Sequence, residues 1–421
     1  MNSIKMNEYS EHNTRRRDLG LYIHIPFCIK KCDYCDFLSA PAEEDTIRRY
    51  FDSLFTEIRS YKGRNSSYVV PTIYIGGGTP SCVEPGYITE LMDIIYDTFQ
   101  IDGERLEATI EVNPGTVTKG KLEAYKIAGI NRLSFGLQSA DNTELKLLGR
   151  IHSYEQFKAN YGLAIEVGFH NINVDLMSAL PGQTINSWET TLNEVVRLQP
   201  EHISAYSLIL EEGTPFFNRY GEGSPQKEAL PDEEADRAIY YKTKEILKTN
   251  NYSRYEISNY AKEGYESRHN ISYWIGTEYL GMGLGASSLL NDARFHNTHE
   301  LEQYINACKS YLSDKQAYIN NDNANNSDKF MIDSIGIRQE VELLTIQQRM
   351  EEFMFLGLRM CRGISRAAFF HRFNKSLEAI YGEVIQPLIY NKLLVSEGDA
   401  LYLTDYGIDV SNIVLACFLF D

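Results

Sequence analysis

The chain has 421 residues, of which 43% are hydrophobic and 24% are charged, a composition typical of a folded protein with a sizeable core. Its formal net charge of −17 repels phosphate backbones. The nearest approach to a basic cluster, Arg15-Arg16-Arg17, is short, so we expect no nucleic-acid partner. No apolar run approaches the roughly 20 residues of a membrane-spanning helix, so we expect no membrane span.

The cysteine content indicates a reducing compartment. Three of the seven cysteines fall within eight residues, which suits a metal or cluster site better than a disulfide framework. The polar lead, residues 1–19, lacks the apolar segment of a secretory signal. We therefore expect a cytoplasmic protein.

Strand-like apolar runs alternate with helical patterns through the first half of the chain. The predicted strands are Leu21–Ile25, Thr72–Ile75, Glu107–Val112, Arg132–Gly136, Asn171–Met177 and His202–Leu208. The predicted helices between them are Glu43–Tyr61, Tyr87–Phe99, Lys119–Ala128, Tyr154–Val167 and Ser187–Leu198. The alternation predicts an α/β fold with a parallel sheet and outer helices, and six βα units in one series predict a partial (βα)6 barrel.

The pattern changes in the second half. Glu211–Pro215 indicates a turn, Asp232–Thr249 a helix, and the glycine-rich Gly281–Gly285 a close-packed turn. Thr345-Ile346-Gln347-Gln348 has the capping-box pattern of a helix that runs to about Met360. We predict a polar lead (1–19), a barrel (20–210), a barrel extension (211–319), an Asn-rich linker (320–328) and a small C-terminal α+β domain (329–421).

Three cysteines follow the first predicted strand directly. Cys28, Cys32 and Cys35 form a C-x3-C-x2-C pattern, and thiolates are the usual ligands of iron–sulfur clusters. Three thiolates on one loop can hold three irons of a cubane and leave the fourth iron open, much as a catalytic zinc keeps a position for its substrate. The alternatives are a zinc knuckle with a distant fourth ligand and three unrelated core cysteines. No nearby C-x2-C or H-x3-H motif completes a zinc site, so we predict a cluster.

Unusual residues also follow the other predicted strands, where barrels of this type carry their chemistry. These are the run Gly76–Pro80 after the second strand, the run Glu111–Pro114 at the end of the third, Gln138 after the fourth and Asp175 at the end of the fifth.

C-x3-C-x2-C after a first barrel strand resembles the signature of the radical S-adenosylmethionine (SAM) superfamily. The resemblance implies a [4Fe–4S] cluster whose open iron is chelated by SAM, and in catalytic members reductive cleavage of SAM to a radical. Further residues extend the similarity over nearly the whole chain to the coproporphyrinogen III dehydrogenase-like branch, and within it to the HemW haem chaperones. These residues are Tyr22, the runs Gly76–Ser81 and Glu111–Pro114, Gln138, Arg150 and Asp175.

The resemblance also implies roles for individual residues. Cys28, Cys32 and Cys35 would bind the cluster. The implied SAM contacts are Tyr22 and Tyr34 on the cluster and adenine side, Gly78 and Thr79 at the methionyl end, Glu111 near the ribose or methionyl part, and Gln138, Arg150 and Asp175 as a set that holds SAM or a second SAM. In this branch the C-terminal unit resembles a winged-helix-like domain of the HemN type, for which we expect a lid or protein-contact role.

Each SAM contact has a structural alternative. Tyr22 could be a core aromatic, and the glycines a tight turn, because glycine tolerates a positive φ. Glu111, Arg150 and Asp175 could form an ion-pair network at the barrel mouth.

Phe37 is one of two departures from the catalytic porphyrinogen dehydrogenases, which carry a fourth cysteine at the matching position, two residues after the third. Those enzymes also have a longer N-terminal arm, whereas 27 residues precede Cys28. Both differences argue against oxidative decarboxylation of coproporphyrinogen, and we assign no catalytic residue.

The segment His269–Trp274 is similar to the H-N-x-x-Y-W motif of the HemW family. An imidazole such as His269 can ligate haem iron, and aromatic rings such as Tyr273 and Trp274 can pack against a porphyrin. The alternative is a hydrogen-bonded histidine beside two core aromatics.

We therefore expect a haem chaperone that binds haem and a SAM-ligated [4Fe–4S] cluster and transfers haem to a membrane-associated acceptor protein. The alternative is a radical SAM enzyme, an oxygen-independent coproporphyrinogen III dehydrogenase or related anaerobic oxidoreductase, which would need an electron donor.

Overall fold

The computed structural model describes residues 16–318, 333 and 335–420. The predicted linker 320–328 and most of the polar lead lie outside the described residues. No helix in the described part of the chain is both long and apolar enough to cross a bilayer.

Six parallel strands form the centre of one large sheet, with helices packed outside. The strands are β1 (Arg17–Ile25), β2 (Tyr68–Gly77), β3 (Glu107–Val112), β4 (Arg132–Gln138), β5 (Ile172–Ser178) and β6 (His202–Ser207). The helices are α1 (Glu44–Ser60), α2 (Pro85–Thr98), α3 (Lys119–Ile127), α4 (Asn142–Leu147), α5 (Tyr154–Val167) and α6 (Ile185–Val196). Neighbouring strands pair in chain order, β1 through β6, so their carboxyl ends share one edge.

Alternation along the strands separates an apolar outer face from a polar inner face. In β1, Leu21, Ile23 and Ile25 are fully buried beneath the helices, whereas Tyr22 and His24 point inward. The other central strands follow the same period, so the apolar positions build the core between sheet and helices. The barrel interior is left to polar side chains.

The barrel extension adds the rest of the sheet around the same core. It contains α7 (Pro215–Tyr220), α8 (Glu233–Thr249), β7 (Ser253–Arg254), β8 (Asn259–Ala261), α9 (Arg268–Trp274), β9 (Tyr279–Met282), β10 (Ser287–Leu290), β11 (Ala293–Asn297), α10 (Leu301–Tyr318) and β12 (Arg338–Leu343). The described strands join in the order β12-β11-β10-β9-β1-β2-β3-β4-β5-β6-β8-β7, an open sheet of twelve strands in which β9 lies parallel to β1.

The C-terminal part has its own core and its own three-stranded antiparallel sheet, in the order β13-β15-β14. Its elements are α11 (Ile346–Gly357), β13 (Ile364–Ser365), α12 (Arg366–Phe373), α13 (Leu377–Tyr390), β14 (Leu394–Glu397), β15 (Ala400–Leu403), α14 (Asp405–Asp409) and α15 (Ser411–Ala416). The predicted capping box is present, since Thr345 and Gln348 exchange side-chain bonds with each other's backbone.

The predicted fold class is confirmed: an α/β sheet of six parallel βα strands that stays open, followed by a small domain of helices and a sheet. The domain boundaries stay a prediction. The large sheet crosses two of these boundaries. Strand β9 of the extension pairs with β1 of the barrel, and β12, which lies beyond residue 329, pairs with β11 of the extension.

Candidate functional site

The cysteine loop leaves β1 at the carboxyl edge of the sheet. Backbone bonds fix it to the following strand: Gly78 N–H donates to Ile25 O at 2.8 Å, and Thr79 N–H donates to Phe27 O at 2.7 Å. The loop closes on itself where Cys28 N–H donates to Ala40 O at 3.2 Å. The sequence therefore places its three cysteines on a tethered loop at the barrel mouth.

The three thiols are free of disulfides and half-buried. Cys28 Sγ lies 3.4 Å from Thr79 Oγ1, and the guanidinium of Arg150 donates from Nη1 to Cys32 Sγ at 3.6 Å. Arg150 therefore places a cationic hydrogen-bond donor beside one of the three sulfur atoms. Burial raises the pKa of the Cys35 thiol. No set of three or more His, Cys, Asp or Glu side chains in the described residues is close enough together to hold one metal ion.

The glycine run Gly76–Gly78, at the end of β2, is closely packed at every position. A Cβ on Gly77, whose φ is +111°, would lie 2.5 Å from the His24 ring, and one on Gly78 would lie 2.6 Å from Phe27 O. The run is therefore required by the close approach of the β2 backbone to β1 and its loop. The same approach leaves Thr79 beside Cys28.

Glu111 lies inside the barrel and bonds two neighbours. Tyr74 OH donates to its Oε1 at 2.8 Å, and Gly77 N–H donates to its Oε2 at 3.1 Å. Burial, with a smaller contribution from Asp175, raises the pKa of Glu111 to about 7. Its carboxyl group is thus tied to the glycine run rather than paired with a cation.

Arg150 and Gln138 meet around Gly136, which pairs with Asp175 of β5 in the sheet. Arg150 Nη2 donates to Asn113 Oδ1 and to Gly136 O. A Cβ on Gly136 would lie 3.3 Å from both Arg150 Nη2 and Gln138 Nε2. Gln138 has a φ of +74°, and the register between β4 and β5 shifts there. Gln138 is therefore the last residue of β4, where it pairs with Leu176 after the register shift.

Asp175 is held below this group. Ser134 Oγ donates to its Oδ2 at 3.0 Å, and Asn173 Nδ2 donates to its Oδ1 at 2.8 Å. Burial raises the pKa of Asp175.

Tyr34 is close to Arg150 and Cys32, and burial raises the pKa of Tyr34 as well. Tyr22 OH lies 3.0 Å from His24 Nδ1.

The H-N-x-x-Y-W segment is the helix α9, which closes the barrel at the edge opposite the cysteines. Its first backbone N–H groups, those of Arg268 and His269, donate to Glu107 at 3.1 and 3.0 Å. Glu107 begins β3, so this contact fixes the start of α9 at the amino-terminal edge of the sheet.

His269 is buried inside the barrel with both ring nitrogens occupied. Nδ1 lies 3.0 Å from Thr72 Oγ1, and Nε2 lies 2.9 Å from Tyr273 OH. The imidazole also stacks on Tyr74, with ring centroids 5.1 Å apart. Burial, with a contribution from Arg132, lowers the pKa of His269 to about 3, so the ring is neutral.

Trp274 ends α9 on the other side, against the C-terminal domain. Its ring lies 4.5 Å below the guanidinium of Arg359, and it packs with Tyr255 and Met360. The three residues of the motif that were predicted to contact haem thus face different surroundings. His269 faces the barrel interior and Trp274 the domain contact.

Tyr273 faces a cavity of about 330 Å³ on the inner side of β1, β9 and β10. The cavity is lined by Tyr22, His24, Tyr273, Tyr279, Gly285, Ala286 and Ser287. The predicted close-packed turn Gly281–Gly285 forms part of its wall, where a Cβ on Gly283 would lie 2.4 Å from Tyr50 OH.

Sequence reasoning missed several inward-facing residues, among them Tyr74, His24 and the buried Arg132. Arg132 Nε has no hydrogen-bond partner among the described residues. The signal was available, because each of these residues falls on the polar phase of a strand whose alternate positions are apolar.

Two family models match the chain: the radical SAM superfamily over residues 22–195 and the HemN C-terminal domain over residues 344–410. The chain is 35% identical over 401 residues to the heme chaperone HemW of Lactococcus lactis, which covers 95% of this chain and 97% of that protein. It is 33% identical to the heme chaperone HemW of Bacillus subtilis, over 94% of this chain and 98% of that protein.

Among solved structures, coproporphyrinogen III oxidase (HemN) of Escherichia coli, a radical SAM enzyme, matches with a TM-score of 0.77. The two are 23% identical, and the match covers 96% of this chain and 90% of that one. At this identity the likeness shows a shared fold.

Proposed function

We propose that this chain binds haem as a chaperone and transfers it to an acceptor protein. The basis is its family, because the chain belongs to the radical SAM superfamily and, within it, to the family of the HemW haem chaperones. The observation that carries the haem part is the cavity that Tyr273 of the H-N-x-x-Y-W helix shares with Tyr22 and His24 of β1. Aromatic walls of this kind suit a flat tetrapyrrole.

The cluster part of the proposal rests on the donor set at the barrel mouth. Cys28, Cys32 and Cys35 are free thiols on one tethered loop, and Arg150 donates a hydrogen bond to one of the sulfurs. Soft thiolates select iron–sulfur clusters, so these residues would hold a [4Fe–4S] cluster with one iron left for SAM. The bound cluster and SAM would supply electron-transfer chemistry, and the protein would orient both.

The proposed SAM contacts surround this loop on the carboxyl edge of the sheet. They are Tyr22, Tyr34, Gly78, Thr79, Glu111, Gln138, Arg150 and Asp175. Glu111 and Asp175 would accept hydrogen bonds from hydroxyl and ammonium groups, and Arg150 would oppose a carboxylate. The close-packed glycines would keep the mouth wide enough for the methionyl end to reach the cluster loop.

For haem, the proposed contacts are His269, Tyr273 and Trp274, all on α9. The proposed acceptor is a membrane-associated haem protein. Because α9 lies between the barrel floor and the C-terminal domain, a partner that moves this domain would reach the haem contacts through Trp274 and Arg359.

The experiment has two readouts on anaerobically prepared full-length protein. Haemin is titrated and the Soret band followed; we expect saturable binding, and its absence would overturn the haem proposal.

Iron and sulfide are then measured in the wild type, in Cys28→Ser and in Cys82→Ser. Cys28→Ser should lose most of the cluster, whereas Cys82→Ser, at a neighbouring thiol outside the proposed set, should retain it. Equal retention in both variants would contradict the cluster assignment.

A radical SAM enzyme that acts on coproporphyrinogen is the second candidate, favoured by the fold shared with the Escherichia coli oxidase. Phe37 argues against it, because an exposed phenyl ring stands at the mouth where the resemblance places a fourth thiol in that enzyme class. Anaerobic incubation with SAM, a reductant and coproporphyrinogen decides between them. Formation of protoporphyrinogen would favour the enzyme.

A further inference from the structure

Tyr273 and His269 differ in their access to the aromatic cavity, although both belong to the same motif. Tyr273 is half-buried and lines the cavity, whereas His269 is 1% exposed and is absent from its lining. The two side chains are one helical turn apart on α9, and the imidazole lies behind the phenol as seen from the cavity. An iron atom in the cavity would therefore meet the phenol oxygen before it met the imidazole.

The contacts of His269 point the same way. Its Nδ1 is bonded to Thr72 at 3.0 Å, and its Nε2 is bonded to Tyr273 OH at 2.9 Å. One imidazole face stacks on Tyr74 at 5.1 Å, and the edge packs against Tyr273 at 4.9 Å. Direct ligation by His269 would require it to release Tyr273 and to leave a fully packed position.

We propose that Tyr273, not His269, is the axial ligand that this chain offers to ferric haem, and that His269 is a positioning residue for the phenolate. Phenolate is an established axial ligand of haem iron. The inference rests on the proposed haem-binding function and specifies which atom of the motif meets the metal.

The step is balanced without an oxidant or reductant. The iron–oxygen bond would form as the axial water of ferric haem leaves and the O–H bond of Tyr273 breaks, and the proton would pass to bulk water. The neutral imidazole then donates Nε2–H to the phenolate oxygen, while Nδ1 accepts from the Thr72 hydroxyl. A hydrogen bond from a second residue that orients and tunes a metal ligand is a general feature of metal sites.

The cavity walls suit such a complex. Tyr279 meets Tyr273 edge to face at 4.7 Å, and Gly285, Ala286 and Ser287 bring small side chains to the opposite wall. A volume of about 330 Å³ is at the low end for small-molecule sites, so one edge of the macrocycle would stay outside. An exposed edge is what an acceptor protein needs in order to take the haem. Tyr22, a proposed SAM contact, shares the cavity, so haem would lie next to SAM.

The test uses the full-length protein with haemin as the probe. We expect the wild type to show a phenolate-to-iron charge-transfer band, phenolate vibrations in the resonance Raman spectrum, and release of one proton per haem bound. Tyr273→Phe should lose all three signals and bind haemin at least about tenfold more weakly. Tyr390→Phe, which changes an exposed phenol at the end of α13 in the C-terminal domain, should retain all three.

Two further variants keep the test decisive. Tyr273→His should replace the phenolate spectrum by that of an imidazole ligand. His269→Gln should keep the phenolate vibrations with a shifted iron–oxygen frequency. Phenolate signals that persist in Tyr273→Phe, or an imidazole spectrum in the wild type that His269→Gln abolishes, would overturn the inference and leave the haem-chaperone proposal standing. Absence of saturable haemin binding to the wild type would instead defeat the proposed function itself.

Discussion

At the scale of single residues, close packing around the barrel mouth explains why β2 ends in glycines. Gly77 has a φ that favours glycine, and its hydrogen faces the His24 ring at a distance where no Cβ fits. Gly86, at the start of α2, has no neighbour within 4 Å of an added Cβ. The two positions therefore form a matched pair for substitution.

Gly77→Ala should lower the free energy of unfolding by roughly 2–4 kcal/mol, because the new methyl group meets the His24 ring and the backbone is strained. Gly86→Ala should change it by less than about 1 kcal/mol, or raise it, because alanine suits a helix. Denaturant unfolding of the cluster-free protein measures both. An unfolding midpoint for Gly77→Ala equal to that of the wild type would refute the packing argument.

Some residue positions at the site could be predicted from the sequence and others could not. Two residues predicted at strand ends lie beside other residues of the proposed site: Thr79 is next to Cys28, and Gln138 is near Gly136 and Arg150, the last of which was named only from the family resemblance. Their assigned roles toward SAM stay predictions. The position of His269 behind Tyr273 was not accessible, because it depends on how α9 is tilted against β2, and no local pattern encodes a tilt.

At the scale of elements, one buried carboxylate joins three of them and the turn after β9. Glu57 of α1 accepts from Gly283 N–H at 2.8 Å, from Asn297 Nδ2 of β11 at 2.8 Å and from Tyr304 OH of α10 at 2.5 Å. Burial raises its pKa to about 7, partly offset by these donors. The turn that it holds, at Gly283, leads into the cavity wall.

Some carboxyl groups have a higher pKa in the folded state than in the unfolded state. The contribution of such a group to stability is complete at pH values below its unfolded-state pKa. It is lost as the pH rises through its folded-state pKa. The stability should therefore fall by up to about 3 kcal/mol between pH 4.5 and 7 through Glu57. Glu57→Gln should reduce the slope of this part of the profile, measured as unfolding midpoint against pH. A slope should remain through Glu111, because burial raises the pKa of that carboxyl to about 7 as well. Glu302→Gln, at a surface ion pair on the neighbouring α10, serves as the control, and an unchanged slope in Glu57→Gln would contradict the assignment.

Elements whose apolar residues repeat with a clear helical or strand period could be predicted from the sequence. Short strands that form only by pairing with a strand far away in the sequence could not. β3 and α5 have the predicted bounds, and the other predicted central elements agree within a few residues, whereas the six-residue α4 was not predicted. β7 and β13, with two residues each, and the four-residue β9 have no period to detect. The glycine-rich turn was predicted, but the strand that leads into it takes its place only by pairing with β1.

At the scale of the whole molecule, the barrel and the C-terminal domain meet at charged and aromatic contacts. Asp405 accepts from Lys244 at 2.5 Å and from Arg254 at 3.1 Å. Arg359 covers Trp274 and lies 3.8 Å from the buried carboxylate of Glu256. The domain contact therefore passes through the end of α9.

Arg359→Ala should weaken this contact by roughly 1–3 kcal/mol, because it uncovers the indole and removes the cation beside a buried carboxylate. We expect calorimetry to resolve separate unfolding of the C-terminal domain, and hydrogen exchange to increase along α9. Arg362→Ala, three residues away and exposed, should leave a single transition. A single transition in Arg359→Ala as well would show that the contact does not depend on this side chain.

The pairing of β9 with β1 has a consequence for synthesis on the ribosome. One edge of β1 can pair with β2 early, but the other edge pairs with Tyr279–Met282, about 250 residues downstream. At elongation rates of about 5–20 residues per second, synthesis of that stretch takes on the order of 10–50 s. During that interval an apolar strand has bare backbone amides and carbonyls on one side. Nascent chains of this protein should therefore depend on holdase chaperones, and slowing translation before residue 279 should increase the insoluble fraction.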